Sequence, residues 1–222
     1  MFIYQIELSN LCSLKCSYCP HPTQQRERGL MTFDTFAKCV EFHRKNSKLR
    51  PLILHHFGEP TLHPQLKDFI AYSAAQGVEC SFSTNGMRNI SQPYPAEFWA
   101  ELSSAGLKTV NFSAHALPVE AFIELAGEHV HIRRFFIPEL VTLGTWAGQV
   151  GPPASPTKEP CIFERHEAFV VLWDGRLARC SMDSEAKESQ LTIDDMLDGK
   201  RFPFRRIALC EACDSMREAE DI

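Results

Sequence analysis

Residues 9–20, Ser9-Asn10-Leu11-Cys12-Ser13-Leu14-Lys15-Cys16-Ser17-Tyr18-Cys19-Pro20, carry three cysteines with three and then two residues between them. Three thiolates this close on one loop can hold three corners of a cubane iron–sulfur cluster. The fourth iron is then open to a ligand that is not protein. A tetrahedral zinc would need a fourth ligand, which His21 or His63 could supply. The spacing favours the cluster and keeps zinc as the alternative. Residues 2–8, just upstream, read as a short strand whose end delivers the loop.

The surrounding composition bounds the possibilities. The chain has 222 residues, 44% hydrophobic and 23% charged, with a net charge of −5. That is enough for one sizeable core and a small appendage. The acidic balance and the lack of a basic run argue against nucleic acid or an anionic membrane surface as partners. No apolar stretch approaches the ~18 residues of a membrane helix. No basic stretch precedes the first strand, so no secretion signal is expected and the setting reads as cytoplasmic. A reducing compartment disfavours disulfides, so the nine cysteines need another account. Seven fall into two groups of ligand-like spacing: Cys12, Cys16 and Cys19, then Cys161, Cys180, Cys210 and Cys213. Cys39 and Cys80 remain, and read as small buried hydrophobes.

Along the chain, strands are expected at 51–57, 78–83, 108–113 and 129–137, and helices at 33–46, 64–76, 95–105 and 118–126. Strands alternating with helices of this length imply right-handed βαβ units on a parallel sheet. Five units suggest a partial, open (β/α) barrel, with functional residues beyond the C-terminal ends of the strands. The motifs fall there: the cysteine loop after strand one, Gly58-Glu59-Pro60 after strand two, and Ser83-Thr84-Asn85-Gly86 after strand three. A Pro-rich connector at 151–160 marks a boundary between residues 1–150 and 151–222. Beyond it, two apolar runs around Asp174-Gly175 predict a β-hairpin, 192–199 a short helix, and residues 138–150 no definite element.

The spacing Cys12-x3-Cys16-x2-Cys19, with Tyr18 before the last cysteine, resembles the signature of the radical S-adenosylmethionine (radical SAM) family. The resemblance implies a [4Fe–4S] cluster whose open iron chelates S-adenosylmethionine, and reductive cleavage of that cofactor to a 5′-deoxyadenosyl radical. It also implies a reducing partner such as flavodoxin or ferredoxin. By the same resemblance, Gly58, Glu59 and Pro60 face the methionyl ammonium of the cofactor. Ser83 and Asn85 belong to the ribose-contacting stretch, Ser113 to the carboxylate end, and Tyr18 lies beside the adenine. The family's fifth-strand adenine motif is not recognisable, and residues 136–140 would substitute. Cys161, Cys180, Cys210 and Cys213 resemble the twitch domain, a short relative of the SPASM domain holding one auxiliary [4Fe–4S] cluster. A structural zinc is the alternative there. The resemblance covers residues 3–140 and 161–213.

Substrate residues are sought among polar side chains near predicted strand ends: His55, His56, Asn111, His115, Arg133 and Arg134. His55, His115 and Arg133 are the candidates for proton transfer or orientation, while His129 and His131 stand at a strand start. Relatives of this compact build include 2-deoxy-scyllo-inosamine dehydrogenase and aminoglycoside epimerases. The expectation is therefore oxidation or epimerisation of a polar small molecule of sugar or cyclitol type. Dehydrogenation is preferred, because Cys39 and Cys80 alone are left as hydrogen donors and neither follows a strand. Modification of a ribosomal peptide side chain and a non-catalytic zinc-binding module are the alternatives.

Overall fold

The computed structural model describes residues 1–46, 51–114, 117–137, 145–151 and 160–213. In chain order these residues form β1 (Phe2–Ile6), α1 (Phe33–Asn46), β2 (Leu52–Ile53), α2 (Leu66–Ala75) and β3 (Cys80–Thr84). Next come β4 (Met87–Asn89), β5 (Gln92–Pro93), α3 (Ala96–Ser104), β6 (Thr109–Ser113), α4 (Val119–Ala126) and β7 (His131–Phe136). The C-terminal part contributes α5 (Ile162–Arg165), β8 (Ala168–Val171), β9 (Leu177–Ala178) and α6 (Ile193–Leu197). Among the described residues no helix is long and apolar enough to cross a membrane.

Strands β2, β3, β6 and β7 lie side by side, all parallel, as alternating strands and helices require. Successive side chains on a strand point to opposite faces, and here the two faces differ in kind. Phe82, Val110 and Phe112 are fully buried. The Phe112 ring centroid lies 5.1 Å from Trp99 of α3 and 4.6 Å from Phe122 of α4. The alternate residues Ser81, Ser83, Asn111 and Ser113 are polar, so the sheet presents a polar inner face. A parallel sheet covered by apolar packing on both faces would read as a continuous apolar run. This is the α/β fold of a partial barrel: apolar outside against helices, polar within.

Two findings differ from the sequence-based expectation. The second strand, expected over 51–57, is two residues long. Leu54 N–H still donates to Ser81 O (2.8 Å), but the next ladder donor, Ser83 N–H, is taken by the ring nitrogen Nδ1 of His55 at 2.9 Å. A side chain thus replaces the backbone acceptor and the strand ends. The β4–β5 hairpin falls where no element was expected; its turn residues Ile90 and Ser91 carry no turn signature, and Pro93 reads as a strand breaker. By contrast α1 occupies the expected span, with Thr32 Oγ1 accepting Thr35 N–H at its start.

The expected hairpin after the connector is present, β8 antiparallel to β9, and β8 pairs in parallel with β1. Most of the connector, 152–159, lies outside the described residues, as do residues 138–144. The segments on either side share one core: Phe169, Val171, Leu177, Ile193, Met196 and Phe202 are buried together with Ile3, Ile6, Phe36 and Phe42. A smaller cluster of Phe163, Ala168, Val170, Leu172, Ala178 and Ala186 packs under Phe2 and Tyr4.

A buried ion pair fastens these parts together. Glu7, immediately after β1, receives Arg26 in a bidentate fork, Nη1 to Oε2 at 2.9 Å and Nη2 to Oε1 at 2.7 Å. Arg26 Nε also donates to Ser184 O at 2.6 Å, and the Glu7 carboxylate beside it holds the guanidinium protonated above even its ordinary range. Removing one partner of such a pair leaves an uncompensated buried charge. Arg26→Met should therefore lose about 3–5 kcal/mol in urea denaturation. The double variant Glu7→Gln/Arg26→Met should recover part of that loss, and a double-variant loss equal to the sum of the Glu7→Gln and Arg26→Met losses would show that the pair is not coupled.

Histidines give the fold a pH dependence. Burial holds His55 at about 4 and His56 at about 3, against an ordinary value near 6.5. Between those values the unfolded chain binds more protons than the folded one. The stabilising contribution is thus complete above about pH 6.5 and is lost as pH falls toward 4. Denaturation midpoints should fall across that window, and His55→Gln/His56→Gln should flatten the decline. An unchanged slope in the double variant would assign the acid limb to other groups.

Candidate active site

The cysteine loop is held by Asn10, which is fully buried. Its amide donates to Glu27 O (2.7 Å) and accepts Gly29 N–H (2.7 Å), while its carbonyl receives Arg28 Nη1 and the His21 ring, both at 2.9 Å. Sequence reasoning missed Asn10 and Arg28, because an anchoring role needs the partner residues 17 to 19 positions away to be seen in place. Cys12, Cys16 and Cys19 are all partly exposed, and Cys19 N–H turns back to Cys16 O at 3.2 Å. Burial pushes the Cys12 thiol up to about 12 and raises Cys19 as well. Three soft sulfur donors on one anchored loop fit a cluster that takes three protein ligands. His63, considered as a fourth zinc ligand, uses Nε2 on Met31 O (2.9 Å) and Nδ1 on Gln65 N–H (3.1 Å).

The Gly58-Glu59-Pro60 turn docks directly on this loop. Gly58 has φ +124°, and a Cβ there would lie 2.2 Å from Ser9 O and 2.7 Å from Asn10 Cα, so only glycine permits the approach. Glu59 N–H then donates to Leu11 O at 2.7 Å. The Glu59 carboxylate is 2% exposed. Its Oε1 accepts from Thr61 N (3.1 Å), Thr61 Oγ1 (2.8 Å) and Thr84 Oγ1 (2.6 Å), and its Oε2 from Asn85 N (2.8 Å). Burial raises its pKa, and these donors oppose the rise. The carboxylate therefore ties the turn to the end of β3. From that end, Asn85 reaches Cys12 Sγ at 3.7 Å.

A polar row runs along the inner face. Gln5 of β1 meets His55 at 3.2 Å, His55 takes Ser83 N–H, and Asn111 Nδ2 donates to Ser83 Oγ at 3.3 Å. With Nδ1 of His55 accepting, its Nε2 carries the proton, so the Gln5 amide oxygen belongs opposite it. Both nitrogens of neutral His55 are thus engaged. Asn111 Oδ1 is buried with no partner among the described residues. The β6–β7 register shifts by one residue after Val110–Ile132, which puts Arg134, not Arg133, opposite Asn111; Arg133 is the extra residue, and both arginines are exposed. Ser113, at the end of β6, stands opposite Phe136. The Phe136 and Tyr18 rings lie 6.4 Å apart between centroids, tilted by 55°, so Tyr18 of the cysteine loop meets the end of β7. His115 lies outside the described residues, as do 138–140.

The four C-terminal cysteines do not form a metal-holding group among the described residues. Cys161 and Cys180 pack on the small cluster that also carries Phe2 and Tyr4. Cys210 is close enough to act on the Cys180 thiol, which burial raises strongly, and Cys213 N–H turns back to Cys210 O at 3.5 Å.

Comparison with known proteins agrees with this geometry. Residues 6–135 match the radical SAM superfamily. A tungsten-containing aldehyde ferredoxin oxidoreductase cofactor-modifying protein of Pyrococcus furiosus is 27% identical over 159 residues, 69% of this chain and 43% of that one. A probable GTP 3',8-cyclase of Metallosphaera sedula is 30% identical over 129 residues, 55% and 37% of the two chains. The chain thus spans less than half the length of these curated relatives. The crystal structure of BtrN in complex with AdoMet and 2-DOIA superposes with a TM-score of 0.72 at 20% identity, covering 90% of this chain and 81% of that one. Streptococcus suis SuiB bound to precursor peptide SuiA gives 0.51 at 12% identity, with 97% and 66% covered. With the match spanning more than half its length and the cysteine loop, Glu59 turn and third-strand end meeting at one place, the chain belongs to the radical SAM superfamily.

Proposed function

We propose that this chain is a radical SAM oxidoreductase that removes hydrogen from a carbon of a hydroxyl-rich small molecule of sugar or cyclitol type. The observation that carries the substrate class is the polar row Gln5, His55, Ser83 and Asn111, which leads across the inner face from the strand ends where the cysteine loop lies. Hydroxyl groups are the natural partners of such a row, and the unpartnered Asn111 Oδ1 is an acceptor for one of them. BtrN, similar in fold, was crystallised with AdoMet and 2-DOIA, which supports a small molecule over the peptide that SuiB holds.

Cys12, Cys16 and Cys19 hold a [4Fe–4S] cluster in this reading. Bound there, the cluster supplies the electron that releases a 5′-deoxyadenosyl radical from S-adenosylmethionine. Tyr18 and Phe136 flank the adenine, Gly58 and Pro60 offer backbone carbonyls to the methionyl ammonium, and Ser113 lies toward the carboxylate end. Ser83 and Asn85 line the ribose side. His55, neutral at pH 7 and with both ring nitrogens engaged, holds Gln5 and the end of β3 in place and does not take a substrate proton. Arg134 is better placed than Arg133 to face a substrate hydroxyl. Cys161, Cys180, Cys210 and Cys213 hold a second cluster in a twitch-like segment, and a flavodoxin or ferredoxin serves as reductant.

Dehydrogenation is favoured over epimerisation because returning a hydrogen atom needs a thiol at the substrate. Cys39 lies in α1 and is fully buried; Cys80 is 2% exposed and faces Ser73 of α2. Neither reaches the polar face.

Two measurements test the reading. After anaerobic reconstitution with iron and sulfide, Cys12, Cys16 and Cys19 changed together to alanine should remove about half the iron, one cubane of two, and abolish 5′-deoxyadenosine. A triple variant that still cleaves the cofactor reductively would exclude the assignment. In heavy water, with substrate, the wild type should put no solvent deuterium on the product carbon, and Cys39→Ala and Cys80→Ala should turn over. Loss of turnover in either, together with one deuterium on the carbon, would make the enzyme an epimerase.

A further inference from the structure

We propose that Asn85 tunes the reduction potential of the cluster on Cys12, Cys16 and Cys19 by donating an N–H···S hydrogen bond to Cys12 Sγ. The inference rests on the reading that this triad holds the cluster. The side-chain amide is oriented by its neighbours. Met87 N–H donates to Asn85 Oδ1 at 2.8 Å, which identifies that atom as the oxygen. Ser13 Oγ donates its single proton to Met87 O at 3.3 Å, so toward Asn85 it can only accept, and Asn85 Nδ2 lies 3.3 Å from it. The two constraints agree: the NH2 group faces the cysteine loop. Its other hydrogen is left for Cys12 Sγ, 3.7 Å away. The backbone of Asn85 is fixed too, through N–H to Glu59 Oε2 at 2.8 Å.

A donor this constrained does not reorganise when charge arrives. A reduced cluster carries one more negative charge, spread partly onto its cysteine sulfurs, and hydrogen bonds to those sulfurs set its potential. Asn85 therefore stabilises the reduced state over the oxidised one and raises the potential. With both N–H groups engaged, the amide offers a ribose only the second lone pair of Oδ1. Its principal role is that of a positioning residue acting on the cluster.

The test uses the full-length reconstituted protein and Asn85→Leu, which keeps the shape without a donor. Asn85→Asp keeps the acceptor for Met87 N–H and replaces the donor by a carboxylate. Ser13→Ala, which leaves the sulfur contact in place, is the control for disturbance of the loop. The readout is the midpoint, by EPR-monitored redox titration, of the cluster whose signal changes on adding S-adenosylmethionine. At wild-type iron content, Asn85→Leu should shift the reduction equilibrium roughly tenfold toward the oxidised form, about 59 mV negative for a one-electron couple. Asn85→Asp should shift it further, and Ser13→Ala little. Unchanged midpoints in both Asn85 variants at full iron would overturn the proposal while leaving the triad reading intact. A cofactor-responsive signal that survives replacement of all three loop cysteines would overturn the triad reading instead. Should the variants lose iron, pulsed EPR of the reduced wild type with side-chain 15N-asparagine decides: a 15N coupling to the cluster supports the bond, and its absence refutes it.

Discussion

The hydrogen bonds to the Glu59 carboxylate connect parts of the chain that are otherwise remote. Its donors are Thr61, in its own turn, and Thr84 and Asn85, at the end of β3, while its backbone N–H reaches Leu11 in the cysteine loop. A hydrogen bond to a charged group contributes about 1.5–3 kcal/mol, and an ionised carboxylate that is 2% exposed persists only if such bonds replace its hydration. The cysteine loop, the Gly58-Glu59-Pro60 turn and the third strand end therefore hold their relative positions through one acid. Gly58 is the steric condition for this arrangement, since any Cβ would drive the turn off the loop before Glu59 could reach its partners.

What could be read in the sequence was what is local. The three cysteines are spaced by loop geometry alone, and α1 carries its cap and apolar spacing within 15 residues, so both lie where the pattern places them. The hairpin around Asp174-Gly175 is legible for the same reason: Gly175 adopts φ +85° at the turn between β8 and β9. The partner of β8 is not legible. It pairs with β1 across more than 160 residues, and nothing in the alternation of either strand specifies the other.

The site shows the same division. Gly58-Glu59-Pro60 and Ser83-Thr84-Asn85-Gly86 were placed at strand ends because each follows an apolar run. That Glu59 is satisfied by the protein's own donors, and that Asn85 turns its amide toward Cys12, depend on contacts spanning 25 and 73 residues. Arg133 and Arg134 are indistinguishable as neighbours in the sequence, and one shift of register in β7 separates them. The second strand is short for a reason no propensity expresses: a histidine ring takes over the ladder hydrogen bond.

The ligand count of the second cysteine group bears on what it could do. The triad follows the C-terminal end of β1, whereas Cys161 and Cys180 pack on the apolar cluster carrying Phe2 and Tyr4. A cluster proposed on Cys161, Cys180, Cys210 and Cys213 would have four protein thiolates, which saturate a cubane and leave no iron open to a substrate hydroxyl. Passing an electron is the role that this ligand count leaves for it. The strand that delivers the loop cysteines also carries, through its pairing with β8, the hairpin after which Cys180 follows.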